Sequence, residues 1–392
     1  MTFIGRTALA LLFLFLITPV FAIEVTSSLE PLVVHEWGTF TSVASETGTP
    51  VKWAPLSGPE DLPCFVARLG PYSPKATINS SGLVRMETPV LYFYSPRPIT
   101  LSVGIRFPQG WITEWYPHAA VTPTQLDSTT DLGGLESTAT WPNVLIRPGD
   151  TPVYPHERGE SHYYAARATD AVPVQVNGQD EKFLFYRGVG GFQPPLSAAI
   201  TSDGRVHVEA RQGGAVGDVL QFDNTDGHIR YRFAHSGWSR TTLDATPTEG
   251  GLPALHSRLE RLLVAHGLYE REARAMVDTW KDSWFEPGVR LIYIVPASFV
   301  DATLPLDIRP RPSNIARVFV GRIELLSDAK LTSVKNALLN GDAAALNAHG
   351  RFVWPAVQRV LADSSSEERG RLERSLALVY RMPTYNLRRC SA

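Results

Sequence analysis

The stretch Ile99-Thr100-Leu101-Ser102-Val103-Gly104-Ile105-Arg106-Phe107 constrains the fold of this chain more than any other. Successive side chains of a strand point to opposite faces, so its five apolar residues share one face and require a second layer to cover them. Shorter runs with strand character recur at 89–94, 172–176, 183–186, 205–210 and 229–233. Pro108-Gln109-Gly110, Asn177-Gly178, Asp203-Gly204 and Asp226-Gly227 separate these runs with turn chemistry. With 30 Gly and 30 Pro in 392 residues, the pattern favours many short strands over a helical bundle. The expected fold is a β-rich α+β protein: an antiparallel, β-sandwich-like N-terminal part followed by a mixed, mainly helical C-terminal part.

The character changes across the Pro/Gly-rich stretch 246–253. Beyond it, 256–268 and 270–284 read as helices, 290–295 and 317–325 as strands, and 328–339, 351–361 and 367–380 as further helices. After Arg290 the run at 290–295 is apolar without a break, the signature of a strand buried on both faces. Ser327 and either Ser365 or Ser366 stand where N-caps are needed. Trp280 and Trp284 are four apart and share a helix face with Ala273, Met276 and Val277, which predicts core positions. The organisation expected is a segment 1–22, a β-rich domain over 23–248, and a mixed to helical region over 249–392 packed on it.

Segment 1–22 reads as a secretory signal: Arg6 supplies its positive start, an apolar run follows, and Ala22 suits cleavage. That run is too short to cross a bilayer comfortably, so no membrane span is expected after cleavage. A periplasmic or extracellular destination follows. The formal charge of −2 becomes slightly more negative once Arg6 is removed, which argues against a nucleic-acid partner. Cys64 and Cys390 are the chain's two cysteines, and an oxidising compartment leaves open either a bridge between them or two separate thiols.

The stretches 34–43, 86–94, 161–167, 182–192 and 267–296 together resemble a group of secreted bacterial proteins of unknown function. These carry His-Glu-Trp-Gly-Thr-Phe-Thr-Ser-Val near the mature N-terminus, here His35 to Val43. The resemblance spans nearly all of the mature chain. It implies kinship and export, and it implies no activity, cofactor or residue role.

Candidate chemistry comes from three clusters. His35-Glu36-Trp37 places an imidazole, a carboxylate and a large ring together, but strand geometry sends His35 and Glu36 to opposite faces unless Trp37-Gly38 forms a bulge. His156-Glu157-Arg158-Gly159-Glu160-Ser161-His162 is dense enough in ligand types that a divalent metal would find His156 and His162 there, although the spacing matches no defined motif. His162 enters an expected aromatic strand in which Tyr164 and Arg167 would line a cleft, with Arg167 gripping an anion. Glu36, Glu87 and Glu114 each lie near aromatic sequence, and a pair of them about 5–10 Å apart would suit glycoside hydrolysis.

Familiar catalytic templates fail. Thr39 stands where His-Glu-x-x-His needs its second histidine, and Gly188-Val189-Gly190-Gly191 opens no helix, which makes a tight turn or bulge the better account. Ser327-Asp328-Ala329-Lys330 lacks the companion elements of penicillin-recognising enzymes and fits a helix cap instead. No cofactor is evident. The expectation is an exported protein that binds a glycan or other envelope component through an aromatic and charged cleft formed by Trp37, Tyr164 and Arg167. The alternatives are a hydrolase or lyase on a polar polymer, using His35, Glu36, Glu87 and His162 as acid–base residues, and a structural or assembly protein of the envelope.

Overall fold

The computed structural model describes residues 31–53, 62–69, 83–126, 130–159, 161–225, 227–245 and 248–380. The expected signal segment 1–22, Glu160, Asp226 and Cys390 lie outside the described residues. Within them the strands are β1 (Val33–Ala44), β2 (Ala67–Arg68), β3 (Val84–Tyr94), β4 (Ile99–Phe107), β5 (Gly110–Tyr116), β6 (Ala120–Thr122), β7 (Ser137–Ile146), β8 (Val174–Val176), β9 (Gln179–Glu181) and β10 (Leu184–Gly190). They continue with β11 (Leu196–Ile200), β12 (Val206–Ala210), β13 (Gly217–Asp223), β14 (Arg230–Ser236), β15 (Arg240–Leu243), β16 (Thr248–Glu249), β17 (Val289–Ile294), β18 (Leu306–Arg309) and β19 (Asn314–Leu325). The helices are α1 (Leu252–Ala265), α2 (Glu270–Trp284), α3 (Ala297–Thr303), α4 (Asp328–Leu339), α5 (Ala343–Asn347), α6 (Val353–Asp363) and α7 (Ser366–Val379).

One large sheet runs β16-β14-β13-β17-β19-β1-β3-β10-β5-β2, and β1/β19 is its parallel pair amid antiparallel neighbours. Smaller sheets, β18-β4-β7-β8-β9 with β6 on β7 and β11-β12-β15, cover one face of it. The alternation at 99–107 does what the sequence requires: Leu101, Val103, Ile105 and Phe107 are buried in that inter-sheet core with Val34, Phe40 and Trp141. Asn177 and Gly178 both have positive φ, 51° and 78°, and close the two-residue hairpin between β8 and β9.

The opposite face is covered by helices. Leu255, Leu259 and Leu263 of α1, spaced by four, pack with Ala273, Met276, Val277, Trp280 and Trp284 of α2 onto Trp37, Tyr92, Val318 and Val320 of the sheet. A third core joins Val43, Trp53 and Leu326 to α4, α6 and α7. Ser327 accepts from Lys330 N and Ser365 from Glu368 N, so both helices start on the capping residues the sequence suggests. Strand β17 is buried on both faces, as the apolar run after Arg290 implies, and Arg290 itself is buried against Glu324.

The protein is thus mixed α+β, with mostly antiparallel strand-rich N-terminal sheets and a helical C-terminal part. Residue 248 does not separate sheets, because β17 and β19 lie between β13 and β1. One expectation is corrected. Residues His162–Arg167 form a 3-10 helix, not an aromatic strand, because the Ser161 hydroxyl accepts from Tyr163 N at 3.2 Å and starts a helical turn. Cys64 is disulfide-bonded, which excludes its standing as a separate thiol.

Candidate functional site

Strand β1 places the first cluster. His35 and Glu36 point to opposite faces, as the pleat requires, and the register shift that marks a bulge falls between Trp37 and Thr39, too late to bring them together. His35 Nδ1 lies 2.7 Å from Glu272 Oε2 of α2. The Tyr94 hydroxyl donates to Glu272 Oε1, and Tyr269 N donates to Glu272 Oε2, both at 2.7 Å. Glu272 thereby caps α2 and fastens its N-terminus to the sheet. On the other face, Glu36 accepts from the Tyr186 hydroxyl at 2.6 Å and from Arg317 Nε at 2.6 Å. Burial works against the Arg317 charge, yet Glu36 holds its pKa above the ordinary arginine value.

Glu87 belongs to a third setting, a buried charge cluster where the carboxyl ends of β1 and β19 meet the C-terminal helices. It accepts from the Thr41 hydroxyl at 2.6 Å and from Arg351, with Arg85 Nε 3.2 Å away. Glu324 bonds Arg290 Nε at 3.0 Å and Lys330 Nζ at 2.6 Å, while Glu286 takes Arg322 Nη2 at 2.6 Å. Arg290 also donates to the carbonyls of Trp284 and Pro287, both at 2.9 Å, and to that of Glu286, satisfying the end of α2. Burial and the neighbouring Arg290 lower the Arg322 pKa to about 10. These ion pairs join α2, α4 and the turn before α6 to the sheet. The sequence gives no local sign of them, because Glu87 and Arg351 are 264 positions apart.

The fourth setting is half-exposed. Arg167 donates from Nε to Glu181 Oε1 at 2.9 Å and from Nη2 to Glu181 Oε2 at 2.7 Å and to the Pro155 carbonyl at 2.8 Å. Its guanidinium carbon lies 5.0 Å from the ring centre of Tyr164, 5.3 Å from Tyr154, 5.5 Å from Tyr163 and 5.9 Å from Phe65. Burial opposes its charge, but the bidentate bond to Glu181 more than offsets that and raises its pKa. Burial beside Glu181 pushes the Tyr154 hydroxyl up to about 12, so it remains a donor at neutral pH. His156 stacks on Tyr164 at 4.3 Å with planes 13° apart, and Glu157 N donates to the Tyr164 oxygen at 2.8 Å.

The sequence candidates therefore divide. Tyr164, Arg167 and His156 come together; His162 stands apart from them, 4.0 Å from Asp282 near the C-terminal end of α2, whereas His35 sits near its start. Trp37 is buried between sheet and helices at 0% exposure, so it is not part of a surface cleft. Glu114 is buried on β5 and accepts from the adjacent Thr113 hydroxyl. Among the described residues no three His, Cys, Asp or Glu side chains converge in a geometry suited to a metal ion, and His156 instead faces a ring. Sequence reasoning did not single out Phe65, Tyr154 and Glu181. Tyr154 stands two residues before His156 and could have been found from that neighbourhood, whereas Phe65 and Glu181 carry no local signal. Comparison with protein-family models finds no match to this chain, and comparison with curated proteins finds none.

Proposed function

We propose that this is an exported binding protein that takes a glycan of the cell envelope on the face formed by Val153, Tyr154, His156, Tyr164 and Arg167. The arrangement around Arg167 carries the reading. Glu181 fixes the guanidinium from beneath, and four rings are held around it, so the polar and aromatic groups are ordered before a ligand arrives. Val153, 94% exposed beside Tyr154, extends the apolar surface that the C–H face of a sugar ring would cover. The Tyr154 hydroxyl and the proton on the Tyr164 oxygen supply donors to sugar hydroxyls.

Binding is favoured over hydrolysis because Glu36 and Glu87 are engaged in separate buried networks, where they do not flank one bond. Co-sedimentation of the full chain with purified peptidoglycan sacculi, and binding to immobilised lipopolysaccharide, test the reading. Retention on one of these, weakened several-fold by Tyr154→Ala and by Tyr164→Ala while near-UV circular dichroism is unchanged, is the expected result. Retention on neither, or retention untouched by both substitutions, would overturn it.

A further inference from the structure

A second concavity, of about 350 Å³, lies between the β13–β14 ribbon and α1, far along the large sheet from β3. Its charged wall has an uneven composition. Arg258 and Arg261, three apart on one face of α1, both line it. Neither forms an ion pair with a carboxylate among the described residues. Arg258 is held by packing, its guanidinium carbon 4.3 Å from the Phe233 ring centre, which leaves its N–H edges uncommitted.

Asp218 is the carboxylate of this wall, and both its oxygens are occupied. His235, its register partner on β14, brings Nδ1 to 2.8 Å from one, and His266, directly after α1, brings Nε2 to 2.9 Å from the other. Both carboxylate oxygens are thus engaged by imidazoles, while Arg258 and Arg261 have no carboxylate partner among the described residues. Phe233 and Leu262 add apolar surface for a small carbon skeleton.

We propose that this concavity is an oxyanion site that takes the phosphate group of a small phosphorylated ligand. Two guanidiniums presenting unused N–H groups match a tetrahedral dianion with several acceptors. The volume sits at the lower end of that of small-molecule sites, about 300–1,000 Å³, and suits a phosphate carried on a body of monosaccharide size.

Isothermal titration of the full chain with glucose 6-phosphate, inorganic phosphate and glucose tests this. Heat from both phosphate ligands and none from glucose is expected. Tighter binding of the ester would assign the site to a phosphorylated sugar, and equal affinities would assign it to the free ion, each supporting an oxyanion site. Arg258→Gln and Arg261→Gln should each weaken binding about tenfold, and Arg261→Lys should restore part of it, because a lysine keeps the charge but not the fork. Both side chains are exposed, so an unchanged melting temperature separates lost binding from lost fold. No heat from either phosphate ligand, or affinities unaltered in the double glutamine variant, would refute the proposal.

Discussion

Lys330 Nζ on α4 lies 2.6 Å from Glu324 Oε1 on β19, with both side chains closed off from solvent. Only Leu325 to Ala329 separate them in sequence, yet the bond spans the step from the sheet to the C-terminal helices. Removing the carboxylate would strand Lys330 and Arg290 as buried cations. Glu324→Gln should therefore cost about 3–5 kcal/mol, the range for breaking one side of a buried pair. Chemical denaturation reads this, and a loss no larger than that of an exposed pair such as Arg309–Asp307 would contradict it.

The same cluster sets an acid limit. Burial pushes Glu87 and Glu324 up, but Arg351 with Arg85, and Arg290 with Lys330, outweigh it and bring both down to about 2 from an ordinary 4.5. A carboxyl with a lower pKa folded than unfolded stabilises the fold fully above the unfolded value. That contribution is lost as the pH falls from about 4.5 toward 2. Melting temperatures should hold from neutral pH to about pH 5 and then drop steeply. A flat profile down to about pH 3 would show that these ion pairs contribute little.

At the other end of α2, Glu272 serves three donors, so Glu272→Ala should destabilise more than His35→Ala, by about 2–4 kcal/mol against about 1–2 kcal/mol. A double-mutant cycle on the two should give a coupling of about 1 kcal/mol. Strict additivity would mean that the 2.7 Å approach carries no net energy.

Gly321 on β19 faces Tyr293 in register on β17, and a Cβ there would come 2.0 Å from the tyrosine ring. The ring covers the glycine and fills the groove it leaves. Gly321→Ala should cost about 1–3 kcal/mol, the usual range for forcing atoms into a packed core. In a Tyr293→Leu background the added loss should be smaller. Equal losses in both backgrounds would place the strain elsewhere.

Much of the fold was legible from local pattern. Strand β4, helices α2 and α4, the Asn177-Gly178 hairpin and the Ser327 cap all follow from periods and turn chemistry acting over a few residues. The buried face of α2 could be read from Trp280 and Trp284 with Ala273, Met276 and Val277. Strand β1 was harder, because burial on both faces erases the alternation that marks a half-exposed strand. The turn His162–Arg167 misled for a related reason: its aromatic residues suit a strand, and one Ser161 hydroxyl bond tips them into a helical turn.

The candidate sites were far less legible. Local pattern settles that sheets with apolar faces form, that the late segment is helical, and that histidines, acids and rings are at hand. Which of them meet depends on how the folded chain brings its strands and helices together. His35 met Glu272, Glu36 met Arg317, Glu87 met Arg351, and Arg167 met Glu181 within a ring of aromatics. Range accounts for the difference. Hydrophobic periodicity is written into neighbouring residues, whereas three of these four pairs join groups more than 200 positions apart, brought together by a sheet whose strand order departs from chain order.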